Sequence, residues 1–263
     1  TPHQRLQYIL GQQRPSSPHN PLEALDALYR LVLETCPDPE LSMKWLRAVQ
    51  IKGPSWRPDY FPVWLLRLIL EASPGEEQYA LGPLSSLLPT QISKENLRKP
   101  YSFYHKSFLD FIADPTRCGE RFLTEDEALT WVAQRFFQTL DKHVERAARH
   151  LEDPYPFLLE RLTRLQKSSF QTVVPYILSS NLQKWARRQH PDINRRENSQ
   201  EMLEVLHRGC SRYLCRSSCR LSTKKVTDVL KAKGWKVPNF IQVLRREWGG
   251  YPRYEDLMPP SSD

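Results

Sequence analysis

The sequence predicts a mainly helical, all-α chain with one small β-hairpin of the winged-helix type. Three observations predict it. Only nine of 263 residues are glycine, too few for an architecture of tight hairpins or phosphate loops. Apolar residues recur at three- and four-residue spacing through most of the chain, which is the period of a helix with one buried face. In residues 39–113, three such segments precede two short extended runs, the element order of a winged helix.

Taken in order, residues 2–10 form a short amphipathic segment and 11–19 a polar loop. Asn20, Pro21 and Glu23 make a helix start: a capping amide, a proline where no N–H is needed, and an acid at the positive helix end. Leu22, Leu25, Leu28, Tyr29 and Val32 then give one apolar face to about Glu34. After Pro37 and Pro39, a helix over residues 41–51 offers Met43, Leu46, Ala48 and Val49 to a core. Asp59 is placed to cap the next, through Trp64, Leu65, Leu68 and Ile69. The run Ser73-Pro74-Gly75-Glu76 opens a third, through Tyr79, Leu81, Leu84, Leu87 and Leu88. Residues 90–93 and 101–105 are the strand candidates, joined by a charged turn at 94–99. A helix over 107–113 stops before Asp114-Pro115. Beyond Glu125 the pattern is helical again, over residues 128–151, 156–167, 169–188, 200–220, 222–233 and 239–248, with a polar gap at 190–199 and a frayed end at 258–263.

Charge divides the chain. Residues 1–160 hold 18 basic and 21 acidic side chains, and residues 161–263 hold 20 basic and 9 acidic, so net charges of −3 and +11 make up the overall +8. Such asymmetry directs attention to an anionic partner for the second half. Five cysteines at irregular spacing do not form a secreted disulfide framework. The longest apolar run, 61–70, is interrupted by Arg67 and is too short to span a bilayer. No signal peptide is recognisable, although Thr1 is not an initiator methionine, and a cytoplasmic location is the expectation.

The motifs of independent catalysis are missing. No stretch reads Gly-x4-Gly-Lys-Ser/Thr, and Lys106-Ser107 lacks the preceding glycines, so there is no cradle for phosphates. There is no Gly-x-Ser-x-Gly elbow, no His-Glu-x-x-His helix and no paired-aspartate strand end. The expectation is a chain that is not an enzyme, with no catalytic residues and no metal site.

Three stretches carry a resemblance. Pro21-Leu22-Glu23-Ala24-Leu25-Asp26-Ala27-Leu28-Tyr29 is similar to the PL-x-x-LD-x-LY helix that follows the nucleotide-binding core of fungal NACHT proteins, especially those of mushrooms. Leu81-Gly82-Pro83-Leu84-Ser85-Ser86-Leu87-Leu88 is similar to the family's L-x-x-LHS-V-L helix, with Ser85 where histidine is usual. The run from Tyr104 through His105, Ser107, Phe108, Asp110 and Phe111 to Asp114-Pro115 resembles the YH-x-SF-x-DFL-x-DP signature closely. The matches cover about residues 1–123, and a looser one extends over 170–188. Beyond residue 192 nothing is familiar.

The resemblance implies a STAND-class NTPase, a switch that holds ADP when closed and oligomerises with ATP. Residues 1–36 would end its helical lid, 39–113 would be the winged helix, and 120–263 a helical array with a basic C-terminal half. His105 would stand where related switches place a histidine on a phosphate of ADP, a role suited to an N–H donor that gains charge near neutral pH. ADP or ATP would be bound only with the NTPase core, this chain having no cofactor of its own. The implied partners are that core in cis and further copies of the protein in an oligomer.

Two clusters in the second half stand apart from the resemblance. His207, Cys210, Cys215 and Cys219 fit no zinc-finger spacing and, at about 100° per residue, point to different sides of a helix, so small apolar fillers are the simpler reading. Arg208, Arg212, Arg216 and Arg220 recur every four residues and form one ridge, which Lys224 and Lys225 extend. They are the candidate face for an acidic protein or a polyanion. Few aromatics interleave, so a base-stacking surface is not indicated. The alternative function is a nucleic-acid-binding winged helix. The would-be recognition helix, 75–88, argues against it by carrying Glu76 and Glu77 and no Lys or Arg.

Overall fold

A computed structural model describes residues 22–51, 61–89, 96–142, 165–188 and 217–232. These residues are mostly helical and contain no strand. The ten α-helices named below fall into two compact units.

The first unit contains α1 (Glu23–Glu34), α2 (Pro39–Val49), α4 (Glu76–Leu81), α5 (Lys106–Ala113) and α6 (Pro115–Cys118). Helix α1 ends at Glu34, as its period requires, but the buried face is turned from the expected one. Asp26, Tyr29 and Leu33 are buried, whereas Leu22 is 40% exposed. The turn follows from Asp26, whose carboxylate has an inward partner described below. Helix α2 begins at Asp38, whose side chain accepts the Leu41 amide at 2.9 Å, with Pro39 in the first turn where its missing N–H costs nothing. It buries the expected Met43, Leu46, Ala48 and Val49, and also Trp45 and Ser42. The Ser42 hydroxyl bonds the Ala80 carbonyl at 2.7 Å, joining α2 to α4.

The helix expected to run through Leu88 stops early. Gly75 starts α4 with φ at +86°, a conformation that disfavours a side chain. The α-helix ends at Leu81 and passes into a single 3-10 turn, Gly82–Leu84. Pro83 has no amide to continue the ladder, and its ring opposes the carbonyl four residues back. Leu84, Leu87 and Leu88 are nonetheless buried.

The winged-helix hairpin is not seen. Residues 101–105 form no strand, and the only pairing among the described residues is an isolated antiparallel bridge between Pro62 and Pro100. Two prolines face each other there, and neither has an N–H with which to extend a ladder. The other strand candidate, 90–93, lies outside the described residues. The extended segment is held by single bonds instead: Val63 N–H to Lys99 O at 3.0 Å and Tyr104 N–H to Leu87 O at 2.9 Å.

The second unit contains residues 64–70 of α3 (Val63–Leu70), then residues 126–138 of α7 (Glu125–Gln138), α8 (Lys167–Ser179), α9 (Leu182–Arg188) and α10 (Ser217–Ala232). Asp59, expected to cap α3, lies outside the described residues. Leu65, Leu66, Leu68, Ile69 and Leu70 are all buried, and the Thr139 hydroxyl donates to Ile69 O at 2.8 Å. Asp126, in the first turn of α7, accepts the Gln166 amide at 2.9 Å and the Ser169 hydroxyl, so one carboxylate ties α7 to the start of α8.

One expected helix over 169–188 is two. Ser180 is extended (φ −76°, ψ 152°), and Asn181 Oδ1 accepts the Lys184 amide at 3.0 Å, which is a fresh helix start. Conversely, the break expected between residues 220 and 222 does not occur, and α10 runs through it. Helix α10 packs chiefly on α9 and also on α8, with Val226 fully buried. The helices expected over 156–167 and 239–248 lie largely or wholly outside the described residues.

Candidate functional site

In the first unit the polar groups gather at the start of α5, where His105 lies, and at the junction of α1 with α5 and α6. The junction begins with sequence: Tyr29 and Asp26 are three residues apart on α1 and share one face. The Tyr29 hydroxyl lies 2.7 Å from Ser107 Oγ, and its ring packs at 5.1 Å on Phe108 and 5.4 Å on Phe111. Asp26, 1% exposed, accepts a forked contact from Arg117. Nη2 reaches Oδ1 at 2.6 Å, and Nε lies 3.2 and 3.1 Å from Oδ1 and Oδ2. This bond to Asp26 raises the Arg117 pKa further above its ordinary value. Arg30 donates to the Arg117 carbonyl at 2.6 Å, and both guanidiniums lie 5.9 Å from the centre of the Phe111 ring.

Asp114 ends α5 and caps α6. It accepts from Thr116 N at 2.8 Å, Thr116 Oγ1 at 2.7 Å and Arg117 N at 3.3 Å, and these bonds, led by the Thr116 hydroxyl, pull its pKa down. Cys118 and Cys36 are buried free thiols, and burial pushes both upward in pKa.

His105 occupies the N-cap of α5 in an extended conformation (φ −128°, ψ 115°), and its side chain makes no capping bond. Tyr104, His105 and Lys106 are all exposed, Tyr104 at 58%. An imidazole, a phenol and an ammonium therefore stand together in solvent on the first turn of a helix whose far side is buried through Phe108, Phe111 and Ile112. A helix start with its unpaired amides and a nearby cation favours an anion.

The would-be recognition helix is committed elsewhere. The Tyr101 hydroxyl donates to Glu77 Oε1 at 2.6 Å, with Glu77 only 6% exposed, and Trp45 Nε1 lies 3.4 Å from Glu76 Oε1. Both carboxylates of α4 thus hold core aromatic groups.

The basic ridge is only partly within view. Arg208, Arg212 and Arg216 lie outside the described residues. Arg220 belongs to α10, on which Lys224 is exposed and Lys225 half-buried. At about 100° per residue, Lys224 and Lys231 fall within about 20° of one another, well away from the inward Val226. Of the rejected zinc quartet, His207, Cys210 and Cys215 lie outside the described residues, and Cys219 lies on α10. Among the described residues no group of three or more His, Cys, Asp or Glu could hold a metal ion. No described helix is long and apolar enough to cross a membrane.

Sequence reasoning missed the Asp26–Arg117 pair. Its signal was an aspartate on the apolar face of α1, three residues before Tyr29, where a solvated carboxylate would not be placed. It also missed a cleft of about 250 Å³ lined by Val49, Gln50, Tyr101, Phe103, Lys106 and Leu109, which no local pattern encodes.

No protein-family model matches this chain, and neither any curated protein nor any solved structure matches it significantly.

Proposed function

We propose that this chain is a non-catalytic regulatory and interaction region of a NACHT-type signal-transducing NTPase, closing over the nucleotide-binding core and relaying its state. The observation that carries the reading is how the resembling residues divide. Asp26, Tyr29, Ser107, Phe108, Phe111 and Asp114 form the α1–α5–α6 junction, while Tyr104 and His105 of the same signature stand in solvent at a helix start. The exposed pair suits a surface that meets another body carrying an anion. In this role His105 donates to a phosphate of ADP held by the core, with the winged helix and lid closing over it. A polyanion or acidic protein at the basic second half, and oligomerisation in the open state, belong to the same reading.

The test uses the protein joined to its NTPase core. A donor bond to a phosphate contributes roughly 1.5 to 3 kcal/mol, so its loss shifts a closed–open equilibrium by about one to two powers of ten. His105→Ala is expected to release ADP faster by that factor and to oligomerise more readily. In the chain alone it is expected to leave stability nearly unchanged, because the side chain is exposed and makes no capping bond. Unaltered ADP release in the joined protein, or unfolding of the chain alone, would make His105 a structural residue.

A further inference from the structure

We propose that the cleft between the end of α2 and the start of α5 is a binding site for a small apolar carboxylic acid, a ring or branched hydrocarbon bearing one carboxylate. This does not rest on the nucleotide-switch reading. The cleft lies wholly within the first unit and is lined by Val49, Gln50, Tyr101, Phe103, Lys106 and Leu109.

The floor and walls set the apolar part. Val49 is 2% exposed and Tyr101 6%, and Phe103 and Leu109 are partly buried. The Tyr101 hydroxyl proton is already committed to Glu77 Oε1 at 2.6 Å, so it does not serve as a donor to a ligand. Phe103 is held by its contact with Phe108, 6.2 Å between ring centres, which fixes that wall against the core.

The mouth sets the polar part, and its polar groups are donors. Gln50 Oε1 accepts from Arg47 Nη1 at 2.7 Å, so what Gln50 has left to offer a ligand is chiefly its amide N–H donors. The Lys106 ammonium is exposed and has only donors to give. Arg47 stands behind Gln50 and adds positive potential. Burial pushes its pKa down, but Arg47 starts far enough above neutrality to stay charged. None of the six lining residues is acidic. A ligand that placed an ammonium there would meet only donors and like charge, whereas a carboxylate accepts from Gln50 and Lys106 beside a cation.

Size narrows the class. A cavity of about 150 Å³ holds one benzene. The 250 Å³ here leaves room beyond such a ring for one carboxylate and a short linker. The ligand class is thus the size of a phenylacetate or a branched short-chain acid.

The experiment titrates the 263-residue chain with phenylacetate and, separately, with phenylacetamide, its neutral counterpart, following ligand signals by saturation-transfer NMR and affinity by calorimetry. Phenylacetate is expected to bind at least about tenfold more tightly than the amide. Lys106→Gln is expected to reduce that preference to about twofold or less, with the fold unchanged by circular dichroism. Gln50→Glu replaces the mouth donors by a carboxylate and is expected to abolish phenylacetate binding while sparing the amide. Leu109→Trp fills the cleft and is expected to abolish both. Equal affinity for acid and amide, a preference that survives Lys106→Gln, or no binding of phenylacetate to the wild-type chain each overturns the proposal.

Discussion

Removing the Asp26 carboxylate is expected to be among the costlier single changes in the first unit. The pair it forms with Arg117 spans 91 positions of sequence and is nearly out of solvent, with side-chain exposures of 1% and 13%. Taking one partner from a buried pair typically costs about 3 to 5 kcal/mol, because the other charge is left without compensation. Arg117 keeps a small opening to water and still has Asp114 and Asp110 nearby, so the lower end applies, about 3 kcal/mol. That is a factor of roughly 100 in the unfolding constant and a large fraction of the 5 to 15 kcal/mol of a whole domain. Asp26→Asn keeps the shape and loses the charge, and should cost less than Asp26→Ala. The pair's own contribution is a separate quantity. Replacing both ends with apolar residues, Asp26→Leu with Arg117→Met, is expected to recover most of the loss, since hydrophobic isosteres of buried pairs are often neutral. Urea unfolding followed by fluorescence, with the slope m held equal across variants, measures all four arms. A cost below about 1 kcal/mol for Asp26→Ala, or a double variant no better than the single, would refute the assignment of α1's orientation to this pair.

Two further outcomes are expected. Cys36 and Cys118 are buried with raised thiol pKa values, so at pH 8 both should resist alkylation in the native chain and label promptly in denaturant, as peptide mass mapping would show. Raised pKa values also mean that their contribution to stability is present below the ordinary thiol range and lost as pH climbs through it. Exchanging Lys224, Lys225 and Lys231 for glutamine is expected to weaken retention on heparin and shorten its salt slope, without sequence preference among DNA duplexes. Retention unchanged by the triple variant would remove α10 from the anion-binding face.

What the sequence made legible was the periodic part. Helices α1, α2, α5 and the start of α7 were each announced by an apolar period, whereas the caps Asp38 and Asp114 emerge only in the structure and Asn20, the expected cap of α1, lies outside the described residues. Boundaries that depend on one local residue were harder to see. Pro83 ends α4 inside what reads as a continuous apolar face, because the leucines beyond it remain buried although the helix stops. Ser180 and Asn181 divide α8 from α9 because a serine–asparagine pair can start a helix as readily as ride through one. The strand candidate at 101–105 has the right residues for a sheet edge, but strand formation needs a donor-bearing partner, and the observed neighbour of Pro100 is Pro62. The candidate site was legible only where one stretch supplies it, at 104–106. The cleft draws on α2, on α5 and on the extended segment before α5, and the Asp26–Arg117 pair joins two helices. Neither can be read before the chain is folded.

The residues that give the resemblance divide by what physics requires of them within the described fold. Tyr29, Ser107, Phe108, Phe111, Asp26 and Asp114 are each accounted for by a bond or a ring contact, and a sequence selected only for stability would need residues of these kinds. Tyr104 and His105 are not accounted for in this way. The Tyr104 amide fixes the backbone on Leu87 O, yet its ring is 58% exposed and the His105 side chain caps nothing. An aromatic side chain of about 200 Å², exposed to that degree, leaves more than 100 Å² to be covered, or about 2 to 3 kcal/mol at 25 cal/mol per Å². Within this unit that free energy is not gained. The exposed part of the phenol and the uncapping imidazole therefore add little to the stability of the unit itself. That separation is the ground on which the proposed contact at Tyr104 and His105 rests, and the His105→Ala comparison tests it.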